Sequence, residues 1–181
     1  MAASKTTESI SWQKADKVSK ELLLSSKKRE KDLGLALAIA IRTGLRKSDL
    51  LSLRIENIKE GKVTGKASKT GKDFGHPIPD WLIDEIHKNQ YLGNVYSTTY
   101  SHMWLNRSVQ RVFPAEYARA LKNGKTIGAH SLRKAFGLRL YEAYGVNAAR
   151  QGLQHSDSAT TARYLEIPAI EQEKKQAELF G

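Results

Sequence analysis

The chain has 181 residues, 40% hydrophobic and 27% charged, enough for one domain with its own core or one domain and a short appendage. Lys plus Arg number 30 against 19 Asp plus Glu, a formal charge of +11, which points to a polyanionic partner, nucleic acid first and a membrane surface second. No cysteine is present, which excludes disulfides, cysteine-ligated zinc and thiol catalysis; no apolar run reaches a membrane span, and MAASKTTESI lacks the apolar stretch of a signal peptide.

No basic amphipathic helix with a clean apolar face supports the membrane alternative, so a soluble, cytoplasmic protein that touches DNA or RNA is expected. At this level a ribosomal or other RNA-binding protein, or a repressor, fits as well.

Residues 1–10 are small and polar and read as a disordered terminus. From the cap residue Ser11, the spacing of Trp12, Ala15, Val18 and Leu22 predicts a helix. The charged SSKKREKD reads as a break or a helix start. LGLALAIAIRTG then predicts a helix buried nearly all round and stopped by Gly44. RKSDLLSLR continues as a short helical segment with Leu50, Leu51 and Leu53 inward.

Residues 62–79 are the one strand-like region, with a turn at Thr70-Gly71 and alternation of Phe74, His76 and Ile78. Asp80 is read as the cap of a helix containing Trp81, Ile83 and Ile86. Further helical segments are predicted near 98–110, 114–122, 130–144, 146–153, 158–165 and 169–179. The fold class is therefore mainly α with a small antiparallel β-sheet.

Five features follow one another in a fixed order: Arg46 in TGLRKSDLLSL, Lys69 in ASKTGKDFGHPIP, His130 and Arg133 in HSLR, His155 in LQHSDSATTARYL, and Tyr164 nine residues later. Taken singly, each has an ordinary reading. The arginine would be solvated or cap a carbonyl, the lysine would keep a strand edge soluble, and the tyrosine would pack. Taken together, TGLRKSDLL, SKTGK, HSLR and HSDSATTARY resemble the motifs of the tyrosine recombinases, the phage integrase family, over about 120 residues. Asp49, three residues after Arg46, matches the acidic position that supports the first arginine in that family.

The resemblance implies a catalytic domain over residues 11–165 that cleaves double-stranded DNA without metal, ATP or any other cofactor. Arg46 and Arg133 would balance the charge that builds on the phosphate, with His155 as a further donor. Tyr164 would attack phosphorus to give a covalent 3′-phosphotyrosine and free a 5′ hydroxyl. A tyrosine is nearly all protonated at neutral pH, so a base is needed; His130 is assigned to it, and Lys69 to protonating the departing oxygen. A 5′ hydroxyl from another duplex would reverse the step, and that exchange is recombination.

The sequence departs from the family pattern at Gln154, where glycine is usual, which puts the backbone before His155 in doubt. His76, His87 and His102 match nothing in the motifs and are expected on the surface or in the hairpin. Family members carry an N-terminal DNA-clamping domain, so either an excised catalytic domain or a natural minimal recombinase is expected. Residues 166–181 carry a net −2 and the first 165 residues +13. That acidic tail, with Ile170, Ala177, Leu179 and Phe180, is expected to dock on protein, either a neighbouring protomer on DNA or its own domain. A type IB topoisomerase and a catalytically silent DNA-binding protein of the same fold are the alternatives.

Overall fold

The computed structural model describes residues 7–168 and Glu178. In chain order it contains α1 (Trp12–Leu23), α2 (Lys28–Thr43), α3 (Lys47–Leu51), a 3-10 turn (Ile55–Asn57), β1 (Ile58–Lys59), β2 (Lys62–Lys66) and β3 (Asp73–Pro77). There follow α4 (Asp80–Asn89), α5 (His102–Val112), α6 (Pro114–Lys122), α7 (Ala129–Gly152) and α8 (Ser158–Leu165). The strands form one antiparallel sheet in the order β1-β2-β3, with Val63 opposite His76 and Gly65 opposite Phe74. The architecture is the mainly helical one, with a small sheet, that the periodicities imply. β1 was not anticipated, because two residues are too few to show a period.

A helix apolar on every side has to be enclosed, and α2 is. Every residue from Leu33 to Ile41 is buried, with α1, α4 and α7 packed around it. Each leucine or isoleucine placed there contributes about 1.5–3 kcal/mol relative to exposure. The helix stops at Gly44, whose φ of +59° is left-handed and whose N–H reaches the Ala40 carbonyl at 2.9 Å. A Cβ at that position would collide with the Phe136 ring, so glycine is required both by the turn and by α7 lying against it.

Two residues earlier, the Arg42 guanidinium lies between the Trp12 and Trp81 rings, 5.2 and 5.0 Å from their centroids, and pairs with Asp16. Trp12 Nε1 donates to the Ile41 carbonyl at 2.8 Å. These contacts fix α1 and α4 on the end of α2, directly before the first arginine of the motif.

Several expectations are corrected. Thr7–Ile10, read as part of a disordered terminus, belong to the fold: Glu8 N–H bonds the Thr126 carbonyl at 2.9 Å, Glu8 pairs with Arg119, and Ile10 is buried. Pro79 rather than Asp80 precedes α4 as its cap residue, and no side chain caps that end. The two segments 130–144 and 146–153 run together as α7, broken at Gly145 where the backbone leaves helical geometry. Leu51 is only half-buried, while Leu50 and Leu53 are inside.

The domain does not stop at Leu165. Glu166 pairs with Lys125 and Lys134, both at 3.0 Å, and Ile167 is buried. The segment predicted near 169–179 lies, apart from Glu178, outside the described residues.

Buried apolar side chains form two clusters. The larger gathers around α2; the smaller comprises Phe136, Tyr141, Ala149, Leu153, Ala162, Leu165 and Ile167. Helix α7 belongs to both, through Leu132 in the first and Phe136 in the second. Arg133 stands between these two residues on α7.

Candidate active site

Arg46 follows the Gly44 turn as the extended cap residue of α3 and is half-buried. Among the described residues its side chain makes no hydrogen bond or ion pair, so its planar fork is free for a ligand.

Arg133 is different. On the inward side of α7 it is 6% exposed, and its guanidinium spans two backbone carbonyls. Nη1 donates to Gly44 and Nη2 donates to Leu153, the latter at 2.5 Å. Gly44 stands two residues before Arg46, and Leu153 two before His155. One buried arginine therefore ties together the turns that carry the other two groups. Three of its five N–H donors remain for something else. Burial brings its pKa down to about 10, against the raising effect of Tyr164 and Asp49, so it stays charged at neutral pH.

The turn after α7 settles the doubt about Gln154. This residue adopts φ +53°, the left-handed conformation for which glycine is the natural choice. The backbone before His155 thus keeps the glycine geometry with a strained side chain in it. That side chain has a partner, since Gln154 Nε2 donates to the Asp73 carbonyl at 3.1 Å and links the turn to β3.

His155 Nδ1 lies 3.1 Å from Thr161 Oγ1, and that hydroxyl is also 3.1 Å from the Asp157 carbonyl. The hydroxyl has one proton to give. Given to the Asp157 carbonyl, it leaves the oxygen to accept from His155 Nδ1–H; turned to His155 instead, it leaves the neutral imidazole its proton on Nε2, from where it can donate outward.

Tyr164 stands on α8 with its ring meeting His155 edge-on, centroids 5.2 Å apart at 88°. Its hydroxyl donates to the backbone carbonyl of His130 at 3.2 Å. Burial pushes the phenol up to about 12, although the Arg133 and Arg46 charges pull the other way. The same field keeps the histidines neutral. Burial, then Lys47, Arg133 and Arg46, lower His130 below the ordinary imidazole value. Burial, with Arg133 and Arg46, brings His155 to about 4.

The structure therefore brings together Arg46, His130, Arg133, His155 and Tyr164. Lys69 stays apart from them, exposed at the tip of the β2–β3 hairpin. The tip is tethered by Asp49, which does not take the role expected of it beside Arg46. Asp49 is buried in α3, and its Oδ1 accepts the Ser68 N–H at 3.0 Å, while Ser48 and Ser68 hydroxyls lie 3.2 Å apart. The reason is geometric: Arg46 precedes the first turn of α3, whereas Asp49 sits inside it and faces the hairpin.

Of the remaining histidines, His87 and His102 are exposed on separate helices, and His76 is in the hairpin, as expected. His76 packs edge-on against Phe136 at 5.8 Å, and burial with the Arg133 charge holds it near 4. Gln154 as a tether, Thr161 and His76 were not singled out from sequence as supports of the site. Only Thr161 had a signal, as part of the TTARY motif.

Comparison with known proteins bears directly on this arrangement. The model of the phage integrase family matches residues 15–169, most of the chain and the whole of the cluster just described. The chain belongs to the phage integrase family. It is 31% identical over 136 residues to tyrosine recombinase XerA of Pyrococcus furiosus, covering 70% of this chain and 47% of that protein. It is 28% identical over 157 residues to the probable integrase/recombinase YoeC of Bacillus subtilis, covering 82% and 83%.

Among solved structures, XerH recombinase bound to a palindromic difH substrate superposes with a TM-score of 0.72 at 18% identity, covering 98% of this chain and 54% of that one. The catalytic domain of bacteriophage HP1 integrase gives 0.64 at 23%, covering 92% of each. These likenesses establish the tyrosine recombinase catalytic-domain fold. The chain spans about half the length of the archaeal relative.

Proposed function

We propose that this chain is a site-specific DNA recombinase of the integrase type that cuts through a covalent 3′-phosphotyrosine at Tyr164. The observation that carries the reading is the setting of the Tyr164 hydroxyl. It lies partly buried under the charges of Arg46 and Arg133, between the His155 ring and the first turn of α7. A phenol held near 12 is a poor nucleophile by itself. It becomes useful when an anionic phosphate enters, because the same guanidiniums then bind the group that the phenol attacks.

In the step proposed, Tyr164 Oη forms a bond to phosphorus and the phosphorus–O5′ bond breaks. The phenol proton passes to His130, which is neutral at physiological pH and so able to accept it. Free donors of Arg46 and Arg133, with His155 Nε2–H, balance the charge on the non-bridging oxygens. Lys69 gives the leaving 5′ oxygen its proton, which requires the hairpin tip to lie over the bound DNA strand. Neither a metal nor ATP enters this balance, because the phosphotyrosine conserves the bond energy for rejoining. The XerH and lambda integrase structures similar to this chain hold DNA substrates, and the net charge of +11 suits the same partner. Self-association on DNA through residues 168–180 belongs to the same reading.

The test uses the full chain and a pool of nicked suicide duplexes with randomised arms, without added metal. A covalent protein–DNA band on a denaturing gel, absent in Tyr164→Phe, supports the proposal, and sequencing the captured DNA identifies the site. DNA binding without a band would refute it.

A further inference from the structure

Helix α7 carries His130 and Arg133, yet its N-terminus has no cap of its own. Its cap residue is Gly128, which has no side chain to accept a helix N–H. The partner comes from another helix. Asn106 of α5 accepts the Ala129 N–H on Oδ1 at 3.0 Å, and since that N–H must find an oxygen, the orientation of the amide is fixed. One turn along α5, Gln110 Nε2 donates to the Ile127 carbonyl at 3.2 Å. The two amides, four residues apart on one helix face, thus hold both edges of the segment leading into α7. Ser131 Oγ adds the local bond, accepting the Gly128 N–H at 3.1 Å. The clamp also explains why position 128 is glycine: a Cβ there would lie 2.6 Å from Asn106 Oδ1.

From Asn106 the connection to the chemistry is short. Ala129 is followed by His130, whose carbonyl accepts the Tyr164 hydroxyl at 3.2 Å. The same residue's ring is the proton acceptor in the function proposed above, on which this inference rests. Helix α5 also packs against α3, directly after Arg46. We infer that Asn106 and Gln110 are positioning residues: an amide clamp on the start of α7 sets His130 and, through its carbonyl, the Tyr164 hydroxyl. Neither side chain needs to touch DNA for this.

The experiment takes the duplex recovered by covalent capture and compares Asn106→Leu, which has nearly the same shape but cannot accept, with Asn106→Asp, which keeps an acceptor oxygen. Displacements of about an ångström at a reacting group cost on the order of 100-fold in rate, so Asn106→Leu should cleave roughly 10- to 100-fold more slowly. Its DNA affinity should stay within about twofold of wild type, and Asn106→Asp should recover most of the rate. The acid limb of the rate profile should also move up in Asn106→Leu, since a displaced His130 ring moves away from the positive charges of Lys47, Arg133 and Arg46 that help to hold it neutral. A rate equal to wild type would overturn the inference. So would equal slowing in the Leu and Asp variants, or parallel loss of binding and cleavage, which marks a DNA contact or general damage. If Asn106→Leu does not fold, Gln110→Met is read by the same criteria. A wild-type chain that forms no Tyr164-dependent band refutes the function, whereas a normal band with an indifferent Asn106→Leu refutes only the clamp.

Discussion

Replacing Arg133 by lysine separates the structural job of this side chain from the phosphate binding proposed for it. The guanidinium holds the Gly44 and Leu153 carbonyls at once, from a position only 6% exposed. A lysine ammonium is a compact point donor and can reach one of them at best. One buried carbonyl then loses a bond to a charged donor, which costs about 1.5–3 kcal/mol, and loss of the rigid fork adds strain of similar sign. A total of about 3 kcal/mol in a chain of this size lowers the melting temperature by roughly 6–12 °C. Cleavage should fall separately, by about 10²–10³-fold, as donors to the phosphate are lost.

The comparison variant is Arg46→Lys, because the Arg46 side chain makes no hydrogen bond or ion pair among the described residues. It should lose cleavage by a similar factor while melting close to wild type. Differential scanning calorimetry of both variants, alongside suicide-duplex cleavage, decides the matter. If Arg133→Lys melts no lower than Arg46→Lys, the reasoning that makes Arg133 a strut between two turns is refuted.

Further outcomes are expected. Asp49→Ala removes the acceptor of the Ser68 N–H and frees the hairpin tip; hydrogen exchange at Ser68–Gly71 should accelerate and cleavage should slow, with little change in DNA affinity. Gln154→Gly relieves a left-handed φ of +53° but gives up the bond to Asp73. The two effects, each about 1 kcal/mol, should nearly cancel in stability while β3 exchanges faster; a melting point several degrees lower would mean that the tether outweighs the strain.

Two pH dependences follow from the positive site. His130 must be neutral to accept a proton, so cleavage should decline as pH falls through its lowered pKa, giving an acid limb below about 6.5. His76 and His155 titrate near 4 when folded and near the ordinary value when unfolded, so between those limits the unfolded chain binds more protons. Their contribution to stability is complete above about 6.5 and lost as pH falls towards 4. Urea midpoints measured from neutral to mildly acid pH should therefore decrease; a flat profile would count against buried, neutral imidazoles.

The sequence by itself determined most of the helices, the hairpin and the identity of the motif residues. Each of these is written in short-range terms. An apolar stretch with no polar face must be a buried helix. Gly44 permits a left-handed stop, and the order Arg46, Lys69, His130, Arg133, His155, Tyr164 can be read without coordinates. What only the tertiary structure decided is who holds whom. Arg133 bonds carbonyls 89 and 20 residues away, Asp49 reaches 19 residues to the hairpin, and Asn106 reaches 23 residues to cap α7. Backbone carbonyls and N–H groups are the same at every position, so a bond to one of them leaves no mark on the identity of the residue that receives it. The motif names the side chains proposed to meet the phosphate; the packing of α5, α7 and the hairpin determines where those side chains are.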